Sequence, residues 1–274
     1  MKLSHSSRKG FVCHSYAGDD WRDCEEHVAG ALGLPTDHWR TDSPDRQPDP
    51  IESMQRRAKR REAEEREAAE VAARQRRALA IWEAATDPRG TIIADYLRSR
   101  RLELPDEVAG TALRFHPRCP WDTGTAPAMV AALRCIHTNA LVGIHRTALT
   151  ADGRKVGRKM LGTAAGAAIK LDLDENVTLG LAIGEGVETC LTARQLGVRP
   201  TWALGSVDAV RGFPVVAGVE GLTVLGETGD SGASDRAARE VGTRWHREGR
   251  TVEIIVLKVA GDLNDAIRAD EVAA

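Results

Sequence analysis

Four short apolar runs near the C-terminus, separated by stretches of helical periodicity, constrain this chain more than any other feature. LGLAIGE begins at Leu179, TWALGS at Thr201, LTVLGE at Leu222 and TVEIIVL at Thr251. A helical pattern follows the first run through Leu196 and stops at Gly197. Another runs from Ser234 to Glu248 and stops at Gly249. Parallel strands need a crossover to join them, so strands alternating with helices mean βαβ units. The spacing therefore predicts an α/β fold whose C-terminal part, residues 177–274, is a parallel sheet flanked by helices.

Upstream the texture is different. Residues 87–176 mix a helical stretch, Ile92–Arg100, with strand-like runs at Ala128–Leu133, Leu141–Leu149 and Ala167–Leu173, a smaller α+β region. Before it, residues 41–86 hold a linker, TDSPDRQPDP, and a long helix from Glu52 to Ala80 built almost wholly of Arg, Glu, Ala and Gln. That helix is polar nearly all round and reads first as a solvated spacer stabilised by pairs such as Glu62/Arg66 and Glu70/Arg74. Its Arg56–Arg61 cluster offers the alternative of phosphate contact. Residues 1–40 contain one short helix, Trp21–Leu34, ending at Gly33.

Composition excludes more than it selects. A net charge of -2 gives no global attraction to a polyanion, so nucleic-acid binding has to come from local patches. No run of about eighteen apolar residues is present to span a membrane. Five scattered cysteines and an N-terminus without an apolar stretch point to a reduced, cytoplasmic protein. Cys13, His14, Cys24 and His27 offer no C-x-x-C pair, so zinc is not expected. Cys119, Cys135 and Cys190 fit core or near-core positions.

The acids lie where a parallel sheet binds its ligands. Such sheets bind at the carboxyl ends of their strands. Glu185 ends the first run and Glu227 the third; Asp230 follows in the same loop, and Asp262 and Asp265 stand in GDLND after the fourth. Carboxylates converging on one rim repel each other unless a cation sits between them. Hard oxygen donors with room for water suit Mg²⁺ or Mn²⁺, ions that commonly partner a phosphate. Read singly, each is an ordinary solvated loop acid.

LAIGEGVETCLTARQLG, TWALGS, LTVLGETGDSGASDRAAREVGTRWHREGRTVEIIVL and GDLNDAI together resemble the Toprim domain of primase-like proteins carried by bacterial phages, plasmids and integrated mobile elements. YLRSRRLELP, LRFHP, PAMVAAL, GIHRTALTADGRK, KMLG and GAAIKL resemble the companion region that precedes it. GFVCHSYAGDDWRDCEEHVAGALGLP resembles the tail of the family's zinc-finger-like segment, whose first half is absent. The resemblance implies that Glu185 is the general acid/base or a metal ligand, and that Glu227 and Asp230 stand where the family keeps two metal-binding aspartates. Glu-Thr-Gly-Asp departs from that pattern in side-chain length and spacing. Glu188, Asp262 and Asp265 are further candidate ligands, and Asn264 a loop-shaping residue.

In the companion region His145, Arg146 and Lys159 are the candidates to hold nucleotide or DNA phosphates; for His145 a half-buried structural role is the alternative, and His116 reads as structural. The implied function is primase-like nucleotidyl transfer. It would make short RNA primers on single-stranded DNA from ribonucleoside triphosphates, with Mg²⁺ or Mn²⁺, in the replication of a mobile element. No G-x-x-x-x-G-K-[ST] occurs, so any unwinding needs a separate helicase. The alternatives are a Toprim nuclease and a catalytically weakened DNA-binding accessory protein.

Overall fold

The computed structural model describes residues 2–3, 11–12, 20–33, 50–228, 231–256 and 263–265. Contacts divide the chain into two compact units, 1–64 and 65–274. In the first, strands β1 (Lys2–Leu3) and β2 (Phe11–Val12) pair antiparallel. Helix α1 (Trp21–Ala31) starts where Asp20 accepts the Arg22 amide at 2.8 Å and stops before Gly33, whose φ of 69° no side chain adopts readily. Cys13, His14 and the linker up to residue 49 lie outside the described residues.

Helix α2 (Pro50–Ala84) starts in the first unit and ends in the second. The second unit adds helix α3 (Ile92–Ser99) and strands β3 (Leu113–Trp121), β4 (Gly124–Cys135), β5 (Leu141–Leu149), β6 (Lys155–Gly162) and β7 (Ala167–Lys170). Next come β8 (Gly180–Gly184), α4 (Val187–Gln195), β9 (Thr201–Ala203), α5 (Val207–Arg211), β10 (Gly221–Leu225), α6 (Ala233–Arg247) and β11 (Thr251–Ile255). The four expected C-terminal strands form a parallel block in the order β11-β10-β8-β9, as the alternation of strands and helices requires.

The sheet does not stop there. Short β7 pairs antiparallel with β9 on one edge and with the end of β4 on the other, and β4 continues to β5 and β6, with β3 beside its first half. Nine strands thus form one continuous sheet across the α+β region and the parallel block. Strand β4 shows why both faces are covered. Met129, Ala131 and Leu133 join the core under α3 and α4, and the alternate Ala128, Val130 and Ala132 join a core with Ala78, Trp82 and Ala85 at the end of α2. Under α6, Leu181, Ile183, Leu222 and Val224 meet Trp245, which stacks on Phe213 at 6.0 Å between centroids.

Two features were not visible in the sequence. β3 contains Pro117 and Pro120, which cannot donate to a ladder, and is accommodated by an irregularity between His116 and Cys119. β6 (KVGRKMLG) packs Leu161 on the core under α2 but leaves Val156 and Met160 exposed; it is an edge strand held by its pairing with β5. Helix α2 also does more than the spacer reading expects. From Val71 on, one side is partly or fully buried, Gln75 donates to the Thr163 hydroxyl at 3.0 Å, and the Arg114 guanidinium lies 4.4 Å over the Trp82 ring. Pairs along the helix include Arg74–Glu70 at 3.9 Å and Arg60–Glu64 at 2.7 Å.

Candidate functional site

β8 and β10 are neighbours, yet the helix after β8 (α4) covers one face of the sheet and the helix after β10 (α6) covers the other. At such a switch point the loops part and leave a crevice at the carboxyl ends. Register aligns Gly184 with Leu225, so Glu185 and Glu227 leave adjacent strands one step apart. Glycines on either side of Glu185 let the chain pass close to α4. A Cβ at Gly184 would come within 2.8 Å of Cys190 Sγ, and one at Gly186 within 3.1 Å of the Thr189 hydroxyl. Glu227 accepts from the Thr189 hydroxyl at 3.3 Å, and its amide donates to Ser234 Oγ at 2.9 Å, tying the loop to the start of α6.

Cations face these acids from the far side of the crevice. Cross-strand pairing of β5 with β6 puts His145 opposite Met160 and Thr147 opposite Arg158, on the sheet face that carries α3 and α4. From that face Arg158 Nη2 donates to Glu185 Oε1 at 3.1 Å, with the Glu185 side chain 12% exposed. Lys155 Nζ donates to Glu188 Oε1 at 3.0 Å, and the Tyr96 hydroxyl of α3 donates to the same oxygen at 2.6 Å. Burial alone would raise the Glu188 pKa, but the Lys155 charge and the Tyr96 hydroxyl outweigh it and hold the carboxyl at about 2. Glu188 is thus a buried anchor, ionised at neutral pH, that fixes Lys155 and Tyr96.

The structure separates the three companion-region candidates. His145 faces the crevice but is buried, its Nδ1 without a hydrogen-bond partner among the described residues, and burial lowers its pKa to about 4 despite Glu188 nearby. The structure thus places His145 as an enclosed imidazole on the crevice face. Arg146 and Lys159 are cross-strand partners on the opposite face. There Arg146 donates to the Pro120 carbonyl at 2.7 Å, Lys159 pairs with Asp122, and both cations lie against Trp121. They do not meet the acids. Lys155 and Arg158 were missed; the signal was present in GRKVGRK, but only the β5–β6 register tells which cations face the crevice.

Of the candidate metal ligands, Asp230 and Asp262 lie outside the described residues. Asp265 is not brought to Glu185 and Glu227; it pairs with Arg100 at 3.5 Å. Beside it the buried Asn264 donates to the Arg100 carbonyl at 2.9 Å and to Thr192 Oγ1 at 3.2 Å, docking this turn on α3 and α4. Among the described residues no three His, Cys, Asp or Glu side chains group closely enough to hold a metal unaided.

Residues 180–271 match the Toprim domain family. Over these residues the chain is similar to Toprim domains. Residues 72–171 match a domain of unknown function (DUF7146), which starts where α2 begins to bury one side. None of the curated proteins matches the chain. Solved structures with the same fold include a DNA primase domain from Pseudomonas aeruginosa, 16% identical over 72% of this chain and 75% of that one, with a TM-score of 0.50. The zinc-binding and RNA polymerase domains of the Aquifex aeolicus primase are 12% identical, with a TM-score of 0.52; the match covers 74% of this chain and 59% of theirs. A DnaG catalytic core is 15% identical over 73% and 76%, with a TM-score of 0.50. At these identities the likeness is one of fold: the Toprim-like region and the α+β region together have the architecture of primase cores. Within it, Glu185 and Glu227 of the Toprim-like region lie across the crevice from Lys155 and Arg158 of the preceding region.

Proposed function

We propose that this protein is a primase-like nucleotidyltransferase that makes short RNA primers on single-stranded DNA, in the cytoplasm, during replication of a mobile element. The reading is carried by one observation: acids at the carboxyl ends of β8 and β10 face cations of β6 across a single crevice. That pairing suits phosphoryl transfer, in which the protein supplies mainly positioning and charge. Glu185 and Glu227 fit Mg²⁺ or Mn²⁺, because such ions are held by one or two carboxylates and complete their shell with water and substrate phosphates. The bound ion would neutralise charge developing on the reacting phosphate. Arg158 Nη2, now on Glu185, would turn to a phosphate oxygen of the incoming ribonucleoside triphosphate, and Lys155, fixed by Glu188, would add a second positive charge beside it. Glu185 Oε1, released from Arg158, would accept the proton of the 3'-hydroxyl as its oxygen bonds the α-phosphorus of the triphosphate and the bond to the departing pyrophosphate breaks. Asp230 remains a candidate third ligand, and strand separation is left to a partner helicase.

Incorporation of labelled ribonucleotides on single-stranded DNA with Mg²⁺ or Mn²⁺ tests this reading. Short products from wild type that vanish in Glu185→Gln are the expected result. Intact substrate and no product in wild type would replace the proposal with a DNA-binding accessory role, and cleaved DNA would replace it with a nuclease.

A further inference from the structure

One buried residue of the crevice face keeps an unmet hydrogen bond. His145 is 5% exposed, yet its Nδ1 has no partner among the described residues. Leaving such an atom unpaired costs stability that an apolar side chain of similar shape would keep. Thr147, two residues on along β5 and on the same face, repeats the pattern: it is buried, and its Oγ1 has no partner among the described residues. His145 stands opposite Met160 and Thr147 opposite Arg158, so both lie on the side from which Arg158 reaches Glu185.

The surroundings of His145 select the kind of group that could pair with it. Gly205, in the loop after β9, donates its amide to the Glu185 carbonyl at 2.8 Å. A Cβ at Gly205 would lie 3.2 Å from Met160 Sδ and 3.9 Å from His145 Cδ2, so the loop that touches Glu185 also touches the imidazole and its cross-strand neighbour. Arg158 and Lys155, on the strand beside His145, already supply the positive charge that phosphates require. The imidazole is neutral at neutral pH, since burial lowers its pKa to about 4. A neutral ring suits an uncharged polar group, and its enclosure admits a small one. A hydroxyl meets both conditions, and because it donates and accepts it complements Nδ1 in either tautomer. Met160, exposed and unbranched, can move off Gly205 to admit it.

We infer that His145 holds a ribose hydroxyl of the nucleotide bound in the crevice, with Met160 and Gly205 as the wall against the sugar. The inference rests on the nucleotidyl-transfer reading of the crevice and deepens it: phosphates go to the cations of β6, and the sugar goes to the imidazole of β5. A buried polar atom that only the hydroxyl can pair discriminates against a nucleotide that lacks it.

Titration calorimetry of the full chain with ATP, 2'-deoxy-ATP and 3'-deoxy-ATP in Mg²⁺ tests it, run beside the incorporation of labelled ribonucleotides. Wild type should bind ATP about tenfold tighter than one of the two analogues, and the analogue that loses affinity identifies the hydroxyl. His145→Leu should weaken ATP about tenfold, to the level of that analogue, while the affinity for the analogue itself stays, which also shows that the variant folds. His145→Gln, which keeps a donor and an acceptor, should recover part of the preference. Equal affinity of wild type for all three nucleotides would overturn the inference, as would a His145→Leu variant that keeps the wild-type preference or weakens all three alike. Primers from wild type together with either of those results would sink the inference and spare the nucleotidyl-transfer reading. A preference that depends on His145 in a protein that makes no primer would do the reverse, leaving a nucleotide-binding crevice, and binding of none of the three would remove both.

Discussion

His145 and Glu188 feel each other's charge, and both make the fold lose stability as acid is added, in different pH windows. Glu188 is held ionised to about 2, against an ordinary value near 4.5, so it stabilises the fold above pH 4.5 and loses that contribution as pH falls toward 2. His145 is held neutral to about 4, against an ordinary 6.5. Between pH 6.5 and 4 the unfolded chain therefore takes up a proton that the folded chain refuses. Stability falls through this window as acid is added and is flat above it, by about 3 kcal/mol if the whole separation is realised. Burial also lowers His116, which adds to the same window. Denaturant unfolding of wild type and His145→Gln from pH 7.5 to 4 should therefore give curves that converge as pH falls, the variant losing less stability. Parallel curves would mean that His145 titrates normally.

For elements, the useful contrast is between strands that announce themselves and strands that do not. β8, β10 and the helices α4 and α6 were legible because Leu181, Ile183, Leu222 and Val224 are buried, and because Gly197 and Gly249, both at positive φ, stop the helices. β6 was not, because an edge strand of Lys, Arg and Gly carries no periodic apolar signal; its place is dictated by β5. The same gap explains the site. Glu185 and Glu227 were readable from their positions after strands, whereas choosing Arg158 and Lys155 over Arg146 and Lys159 needs the β5–β6 register. The half of α2 that packs is likewise carried by few side chains. Trp82→Ala removes its largest buried group and the face on which Arg114 rests. It should cost about 3 to 5 kcal/mol in unfolding free energy. A loss below 1 kcal/mol would show that the end of α2 is not part of the core.

Across the molecule, the division at residues 64/65 separates the N-terminal unit from a body that holds the sheet, its three cores and the crevice. A chain beginning at residue 65 should keep the thermal midpoint and cooperativity of the intact protein while losing the Arg56–Arg61 cluster. Loss of a cooperative transition would mean that the N-terminal unit supports the fold. Within the body, buried charge braces the two kinds of strand: Asp172, just after β7, takes Arg194 of α4 on both oxygens at 2.8 and 2.9 Å, and Arg199 at 2.8 Å. Removing one partner of such a group would strand the others.

β7, four residues long, has its remaining consequence in how the crevice keeps its width. Its ladders run to β4 on one side and β9 on the other, so the strand that brings Arg158 and the strand that brings Glu185 belong to one hydrogen-bonded fabric. Any hinge between the halves would have to bend the two-residue ladders on either side of β7. The gauge of the gap is set when the sheet forms, and adjustment falls to side chains and loops at its lip.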